Sequence, residues 1–371
     1  MKKIKLGDCA TFINGYAFKP SDWKKTGTPI VRIQDLTGSI QNPNFYDGNL
    51  DEKYMIDNGD ILISWSGSLG IYEWNKGKAY LNQHIFKVKF DKIEFNKRYF
   101  VYLVKSKINE MLKNVHGSTM KHITKKNFDK IQIELHSLER QQEIAQKLDI
   151  IQEITDIRKK QIEELDEIIK SQFVEMFGSE EYPKKTLNEL TNKITDGSHN
   201  PPTGIAENEG YMMLSSQNII NNSINYENVR FLKKEDFEKE NLRTNLNRGD
   251  VLLTIVGTVG RTAIITDETN ITLQRSVAVL KPTKEINSIY LVGAINSDDV
   301  IRQLNKGAKG VAQKGIYLND IKKILIAVPP IELQNQFAEI VKQIDKQKFE
   351  IQKNLEEMQK LQESLMNKYF G

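Results

Sequence analysis

The chain has 371 residues, enough for more than one core, and its ordinary apolar content of 39% marks a globular protein rather than a disordered one. Cys9 is the only cysteine, which excludes an intrachain disulfide and a cysteine metal cluster. The basic start is interrupted by Gly7 and Asp8 and so reads as no signal peptide, and no apolar run approaches the ~18 residues of a membrane helix; a cytoplasmic protein with no membrane partner is expected.

The formal net charge of +4 conceals an asymmetry. Residues 1–138 hold 22 lysines and arginines against 14 acids, a balance of +8, whereas 139–178 stand at −4, 179–331 at +1 and 332–371 at −1. A basic domain attracts polyanions; plain solubility is the other account of the same charge.

Along the chain, short β patterns with Gly and Asn turns come first, then a helical stretch near 97–114, then a long helix over 139–177. The same order then repeats, with a helical stretch near 288–305 and a long helix over 332–370. NGDILISWSGSLG at 58–70 matches RGDVLLTIVGTVG at 248–260, RIQDL at 32–36 matches SSQNI at 215–219, and LNQHIFKVK at 81–89 matches TLQRSVAVL at 272–280, with Gln83 opposite Gln274. From Gly117 onward the offset is a constant 193, so that Gln141 meets Gln334 and Phe177-Gly178 meets Phe370-Gly371. A period this long means a duplicated domain, not a solenoid.

The two long windows contain no Gly and no Pro and could each span roughly 58 Å. Ser137 suits the N-cap of the first, and Pro329-Pro330 suit the start of the second. Apolar residues recur in steps of four and three at Ile144, Leu148, Ile151, Ile162, Leu165 and Ile169, and at Phe337, Val341, Ile344, Ile351, Leu355 and Met358. Thr155, Arg158 and Lys348 interrupt these seams, as register-setting polar residues do. A seam demands a partner helix, and the other copy is at hand, so antiparallel pairing with a globular head at each end is expected.

No motif for catalysis emerges: there is no GxxxxGK[ST] loop, no HExxH and no Cys/His metal spacing. Asn200-Pro201-Pro202-Thr203 imitates the Asn-Pro-Pro-aromatic motif of amino-directed DNA methyltransferases, but its fourth residue is Thr and no cofactor loop precedes it, so a stiffened surface loop is expected. GSLG and GTVG follow apolar strands and precede strand-like sequence, which fits turns better than phosphate cradles.

Polar residues that recur at matching positions are the candidates for DNA contact. Arg32, Gln34 and Asp35 match Ser215, Gln217 and Asn218, with Ser216 beside them. Gln and Asn bond adenine, Arg bonds guanine and Asp accepts from cytosine; a polar strand edge is the alternative. Gln83 and His84 are matched to Gln274 and Arg275, although the glutamines could instead hold the sheet. Tyr16, Lys19 and Trp65 are candidates to stack on or flank the duplex, with core packing as the alternative for the aromatics; Ser66, Ser68, Thr258 and Arg261 are further candidates, and Asp196, Ser198 and His199 sit in a turn-rich loop, with loop structure as the alternative. Lys121, Lys125 and Lys126, with Lys309 and Lys314 in the second copy, suit phosphate contact or a solvated face.

With these segments in order and in duplicate, the chain resembles the specificity subunit of type I restriction-modification systems over essentially its whole length. GYAFKPSDW (15–23), GDILISWSGSLG, LNQHIFKV, HGSTMKHITKKNF (116–128), DGSHNPP (196–202) and the Glu-x-Gln opening each long helix carry the likeness, while His136-Ser137 stand where the second copy has Pro-Pro. The resemblance implies an α+β fold: two similar target-recognition domains, 1–138 and 179–331, joined by long helices at 139–178 and 332–371 that form an antiparallel coiled coil. It implies a non-enzymatic chain that reads a bipartite, asymmetric site on double-stranded DNA and scaffolds two modification (methyltransferase) subunits and restriction-translocation subunits. S-adenosylmethionine, ATP and Mg2+ are then expected on those partners, with no cofactor or metal bound by this chain. The rivals are a fused restriction and methylation enzyme, which needs a motif not found, and a structural scaffold that does not touch DNA.

Overall fold

A computed structural model describes residues 2–38, 43–113, 125–178, 181–206, 210–266, 270–308 and 314–371. The chain folds as two compact units, one of Met1–Lys159 with Lys353–Gly371 and the other of Lys160–Gln352.

In the first unit, an antiparallel sheet has the order Thr11–Asn14, Ile85–Lys89, Asp60–Ser64, Gly70–Trp74. A second sheet has the order Asn44–Tyr46, Thr28–Val31, Ala79–Leu81, Met55–Ile56, and its central pair is parallel. Lys2–Lys5 and Gln132–Leu135 form a separate antiparallel pair. The run Ile61-Leu62-Ile63 shows why an unbroken apolar strand is needed. Ile61 and Ile63 face a core shared with Tyr99, Phe100 and Leu148, while Leu62 faces the other way, among Val31, Trp74 and Leu81.

The second unit repeats this plan. Its antiparallel sheet has the order Thr191–Asp196, Val277–Pro282, Val251–Thr254, Thr262–Ile264, and its smaller sheet the order Arg230–Leu232, Tyr211–Leu214, Ile271–Leu273, again with a parallel pair. Val251 and Leu253 enter the core that holds Tyr290 and Phe337, and Leu252 enters the opposite core with Leu214 and Leu273. The duplication read from glycine spacing is therefore a duplication of topology.

One expected element divides. The stretch expected near 97–114 is one helix, Lys97–Lys113, but the stretch expected over 288–305 is two helices, Ser288–Ile295 and Asp298–Gly307. Between them the Asn296 amide donates to Val292 O at 2.9 Å and Ser297 Oγ donates to Ala294 O at 2.7 Å. These side chains compete for the backbone acceptors that a continuous helix would use.

The long helices run over Leu138–Phe177 and Ile331–Phe370. The Glu-x-Gln motif has a structural reason. Gln141 and Gln334 are buried and clamp the loop before the shorter helix of the same unit: Gln141 accepts from Asn96 N at 2.9 Å and donates to His136 O at 3.0 Å, and Gln334 accepts from Asn287 N at 2.9 Å and donates to Pro329 O at 2.8 Å.

Within each unit, segments of both helices pair antiparallel. In the first, Arg140 lies over the Tyr369 ring and Gln362 donates to Gln152 at 3.2 Å, so one number rises as the other falls. In the second, Phe173 meets Phe337 and Asp166 meets Lys348 at 2.6 Å. Ile144, Leu148, Ile151, Phe337, Val341, Ile344 and Leu355 are buried, and Ile162, Leu165, Ile169, Ile351 and Met358 are half-buried. The polar interruptions are satisfied where they fall: Thr155 bonds back to Ile151 O at 2.8 Å, and Lys348 takes the Asp166 carboxylate. Such a pair specifies register more than it stabilises.

Cys9 lies inside the first core, fully buried, with its thiol donating to Lys5 O at 3.3 Å. Burial, aided by Asp8, pushes the thiol up to about 12. The thiolate is the reactive species. Iodoacetamide at pH 8 is therefore expected to leave Cys9 unmodified in the native chain and to alkylate it in urea; rapid labelling of native protein, read by mass spectrometry, would contradict this. Among the described residues no helix is long and apolar enough to cross a membrane.

Candidate nucleic-acid interface

Five backbone bonds gather the segments singled out by the sequence. In the first unit Gly15 N donates to Ile85 O at 3.1 Å, Tyr16 N to Leu81 O at 2.7 Å, Gln83 N to Tyr16 O at 2.8 Å, Asn82 N to Val31 O at 3.0 Å and Trp65 N to His84 O at 3.1 Å. In the second, Gly197 N donates to Val277 O at 3.2 Å, Ser198 N to Leu273 O at 2.7 Å, Arg275 N to Ser198 O at 2.9 Å, Gln274 N to Leu214 O at 2.8 Å and Ile255 N to Ser276 O at 2.9 Å. In each unit four loops that are remote in sequence thus meet along one edge where strands end.

This frame corrects one alignment. Gln83 is equivalent to Arg275, not Gln274, and Asn82 is equivalent to Gln274, because Leu81 and Leu273 accept the same bond. Matching the glutamines by identity displaced the register by one residue. The other pairing stands: Arg32 N donates to Asp35 Oδ2 at 2.8 Å as Ser215 N donates to Asn218 Oδ1 at 2.9 Å.

The glycine-rich segments are hairpin turns. Ser64 and Thr254 are buried, and each hydroxyl donates across its turn, to Ser68 O and Thr258 O. Gly67 (φ 68°) and Gly257 (φ 84°) take the left-handed conformation these turns require. Gly257 N also donates to Lys314 O at 2.9 Å, which draws Lys314 to the second edge.

Exposure sorts the candidates. Gln34, Ser68 and Gln83 are exposed at the first edge, and His199, Gln217, Thr258, Arg261, Arg275 and Lys314 at the second. Tyr16, Arg32, Asp35, Trp65, Ser66, His84, Ser215, Ser216 and Gln274 are half-buried, and Ser198 and Asn218 are buried. Tyr16 packs edge-on to Phe18 and Tyr54. Arg32 lies 5.3 Å from the Trp23 ring, and the Asn44 amide oxygen, in the orientation that satisfies both groups, accepts from its two terminal nitrogens at 3.0 and 3.1 Å. The Asn218 amide is occupied by Ser215, Asn225 and Glu227, so in this arrangement it shapes the loop and has no donor left for a base.

Not every candidate joins the frame. Lys19 is exposed on a turn closed by its own N–H to Asp22 at 2.8 Å, and Lys125 and Lys126 are exposed on a short helix, Lys125–Asp129, whose Phe128 packs on Phe12 and Phe86. Lys121 and Lys309 lie outside the described residues. Asn200-Pro201-Pro202-Thr203 is an irregular segment in which Pro202 O accepts from Arg230 at 3.0 Å. Two residues at the edges escaped the sequence: Asn14, which accepts from Trp65 Nε1 at 3.1 Å, and Arg243, whose Nε donates to Asp196 O at 2.8 Å. Only the duplicated strand register could have pointed to Asn14, and Arg243 comes from a helix, Lys234–Thr244, with no counterpart among the described elements of the first unit.

Fold and site together define a duplicated protein with a polar recognition edge on each copy and paired long helices. The chain belongs to the type I restriction modification DNA specificity domain family, which matches residues 1–167 and 179–360, and its role is DNA sequence specificity in such a system. It is 26% identical over 377 residues to the type I restriction enzyme EcoBI specificity subunit of Escherichia coli, covering 92% of this chain and 78% of that one. It is 25% identical over 390 residues to the MjaVIII specificity subunit of Methanocaldococcus jannaschii, covering 98% and 90%. Two solved structures share the fold. The S subunit from M. genitalium has a TM-score of 0.55 at 15% identity, covering 100% of this chain and 96% of that one. A chain from a study of complex assembly and conformational transition of the type I R-M system has 0.58 at 16%, covering 100% and 97%.

Proposed function

We propose that the two edges read the two halves of a bipartite, asymmetric double-stranded DNA site, one edge per recognition domain, in the cytoplasm. The domains are assigned to 1–138 and 179–331 and the helices to 139–178 and 332–371. Two modification subunits are placed around the helices and supply the S-adenosylmethionine chemistry, and restriction-translocation subunits supply ATP- and Mg2+-dependent steps; this chain selects the site and performs no bond-making.

The observation that carries the reading is that one backbone frame, bond for bond, presents different side chains in its two copies. Exposed Gln83 occupies the place of exposed Arg275, and Arg32 that of Ser215. Arg addresses guanine O6 and N7, and Gln addresses adenine N6 and N7. A shared frame with exchanged readers is what recognition of two unlike half-sites requires, whereas a scaffold has no use for the exchange.

The test is to express the chain with its modification partner and to sequence methylated bases. Gln83→Ala is expected to relax one half of the motif and Arg275→Ala the other, each by about 1–3 kcal/mol of discrimination at one base pair. If either variant alters both halves, or both alter the same half, the assignment of one reader to each edge is wrong.

A further inference from the structure

Asn14 and Asp196 occupy the same place, each ending the outer strand of its antiparallel sheet opposite equivalent residues, Phe86 and Ala278, just before the glycine that opens the edge. Both hold a ring. Asn14 Oδ1 accepts from Trp65 Nε1 at 3.1 Å, and Asp196 Oδ2 lies 2.8 Å from His199 Nε2. The two rings reach this place from different elements, Trp65 from the hairpin turn and His199 from the loop three residues on. The position thus keeps its task while the ring it holds is exchanged.

The second site is built in depth. Asp196 is 6% exposed, a costly place for a carboxylate without partners. Arg243 meets it from behind, donating through Nε to the Asp196 carbonyl and pairing through Nη2 with Oδ1. One carboxylate oxygen is thereby fixed on Arg243 while the other faces His199, whose side chain is exposed.

We propose that Asn14 and Asp196 are positioning residues for base reading, each orienting one ring at its edge, Trp65 in the first domain and His199 in the second. The inference rests on the edges being the reading surface. A carboxylate only accepts, so His199 Nε2 carries the hydrogen, and in the neutral ring Nδ1 is the acceptor. An acceptor complements the amino groups of adenine (N6) or cytosine (N4) in the major groove, whereas guanine and thymine present only acceptors there. Trp65, its N–H tied to Asn14 and its ring stacked on Phe86, offers apolar surface of the kind that suits a thymine methyl.

The experiment uses the full chain assembled with its modification partner and reads base preference by sequencing methylated DNA. His199→Ala and Asp196→Ala are expected to relax the same single base pair of one half-site, by on the order of tenfold or more in preferred-to-other methylation, and to leave the other half intact. Asp196→Asn, which keeps an acceptor oxygen, retains part of the preference. Asn14→Ala is expected to relax a base pair in the opposite half, and Asn14→Asp to rescue it. His199→Ala leaves the Asp196–Arg243 pair in place, so misfolding does not stand in for the effect. A uniform fall in methylation with unchanged preference, or no change from His199→Ala, overturns the proposal. Arg275→Ala separates the layers: if it alters the motif while the His199 and Asp196 variants do not, positioning alone fails; if none of them alters it, the reading edge fails too.

Discussion

Replacing Phe337 with alanine is expected to lower the stability of the second unit by roughly 3–5 kcal/mol, whereas Phe349→Ala on the same helix costs under about 0.5 kcal/mol. Phe337 is fully buried, with ring centroids 5.4 Å from Phe173 and 5.7 Å from Phe177, both near-perpendicular. Those two rings rest on Tyr290 at 5.6 and 4.9 Å. Truncating Phe337 removes buried surface and opens a cavity that three fixed rings cannot fill. Phe349 is 68% exposed and leaves no cavity. Urea unfolding followed by circular dichroism measures the loss. All three tryptophans, Trp23, Trp65 and Trp74, lie in the first unit, so their fluorescence monitors that unit alone. Equal losses for the two phenylalanine variants would show that Phe337 is not the packing centre of its core.

What sequence could see and what it could not divide along physical lines. The repeat, the strand-turn-strand of GDILISWSGSLG and the two long helices announce themselves through glycine spacing and apolar period, which are local. The seams were legible for the same reason: Ile144, Leu148, Phe337 and Val341 recur at helical steps and are buried. The register of 82–84 against 274–276 was not, because it is set by backbone bonds to residues 16 and 198, and a shared glutamine one position away outweighed a frame invisible in the letters. Gln141 and Gln334 matched in sequence, yet their clamp depends on Asn96 and Asn287, about 45 residues earlier. Asn218 read as a base contact because its residue type suits adenine, while its burial and three partners follow from a loop closed by Asn225 and Glu227. The gathering of the candidate segments into one edge per unit is likewise a tertiary fact, and it turns a set of scattered polar residues into a site.

Gly197→Ala is expected to be the most damaging single change at the second edge, and Gly15→Ala its counterpart at the first. A Cβ on Gly197 would lie 2.0 Å from Leu273 O, and one on Gly15 would lie 2.1 Å from Asn82 O. These are backbone atoms held by the frame: Leu273 O accepts from Ser198 N, and Asn82 N donates to Val31 O. Relief needs a backbone shift of about 1 Å, and close-packed interiors do not absorb such a shift without losing the bonds around it. A cost on the order of 4 kcal/mol follows, with the edge's hydrogen bonds as the first casualties. Gly38→Ala is the control, since its φ of +73° is unfavourable to alanine but no atom of the described residues lies within 4 Å of the added Cβ; it should cost only about 1 kcal/mol. Hydrogen exchange separates the two kinds of damage. Gly197→Ala should deprotect the amides of Ser198, Gln274 and Arg275, and methylation of the full site should fall with them, whereas Gly38→Ala should leave those amides protected. Unchanged protection at Gln274 and Arg275 in Gly197→Ala would mean that the crossing of residues 197 and 273 does not hold the second edge together.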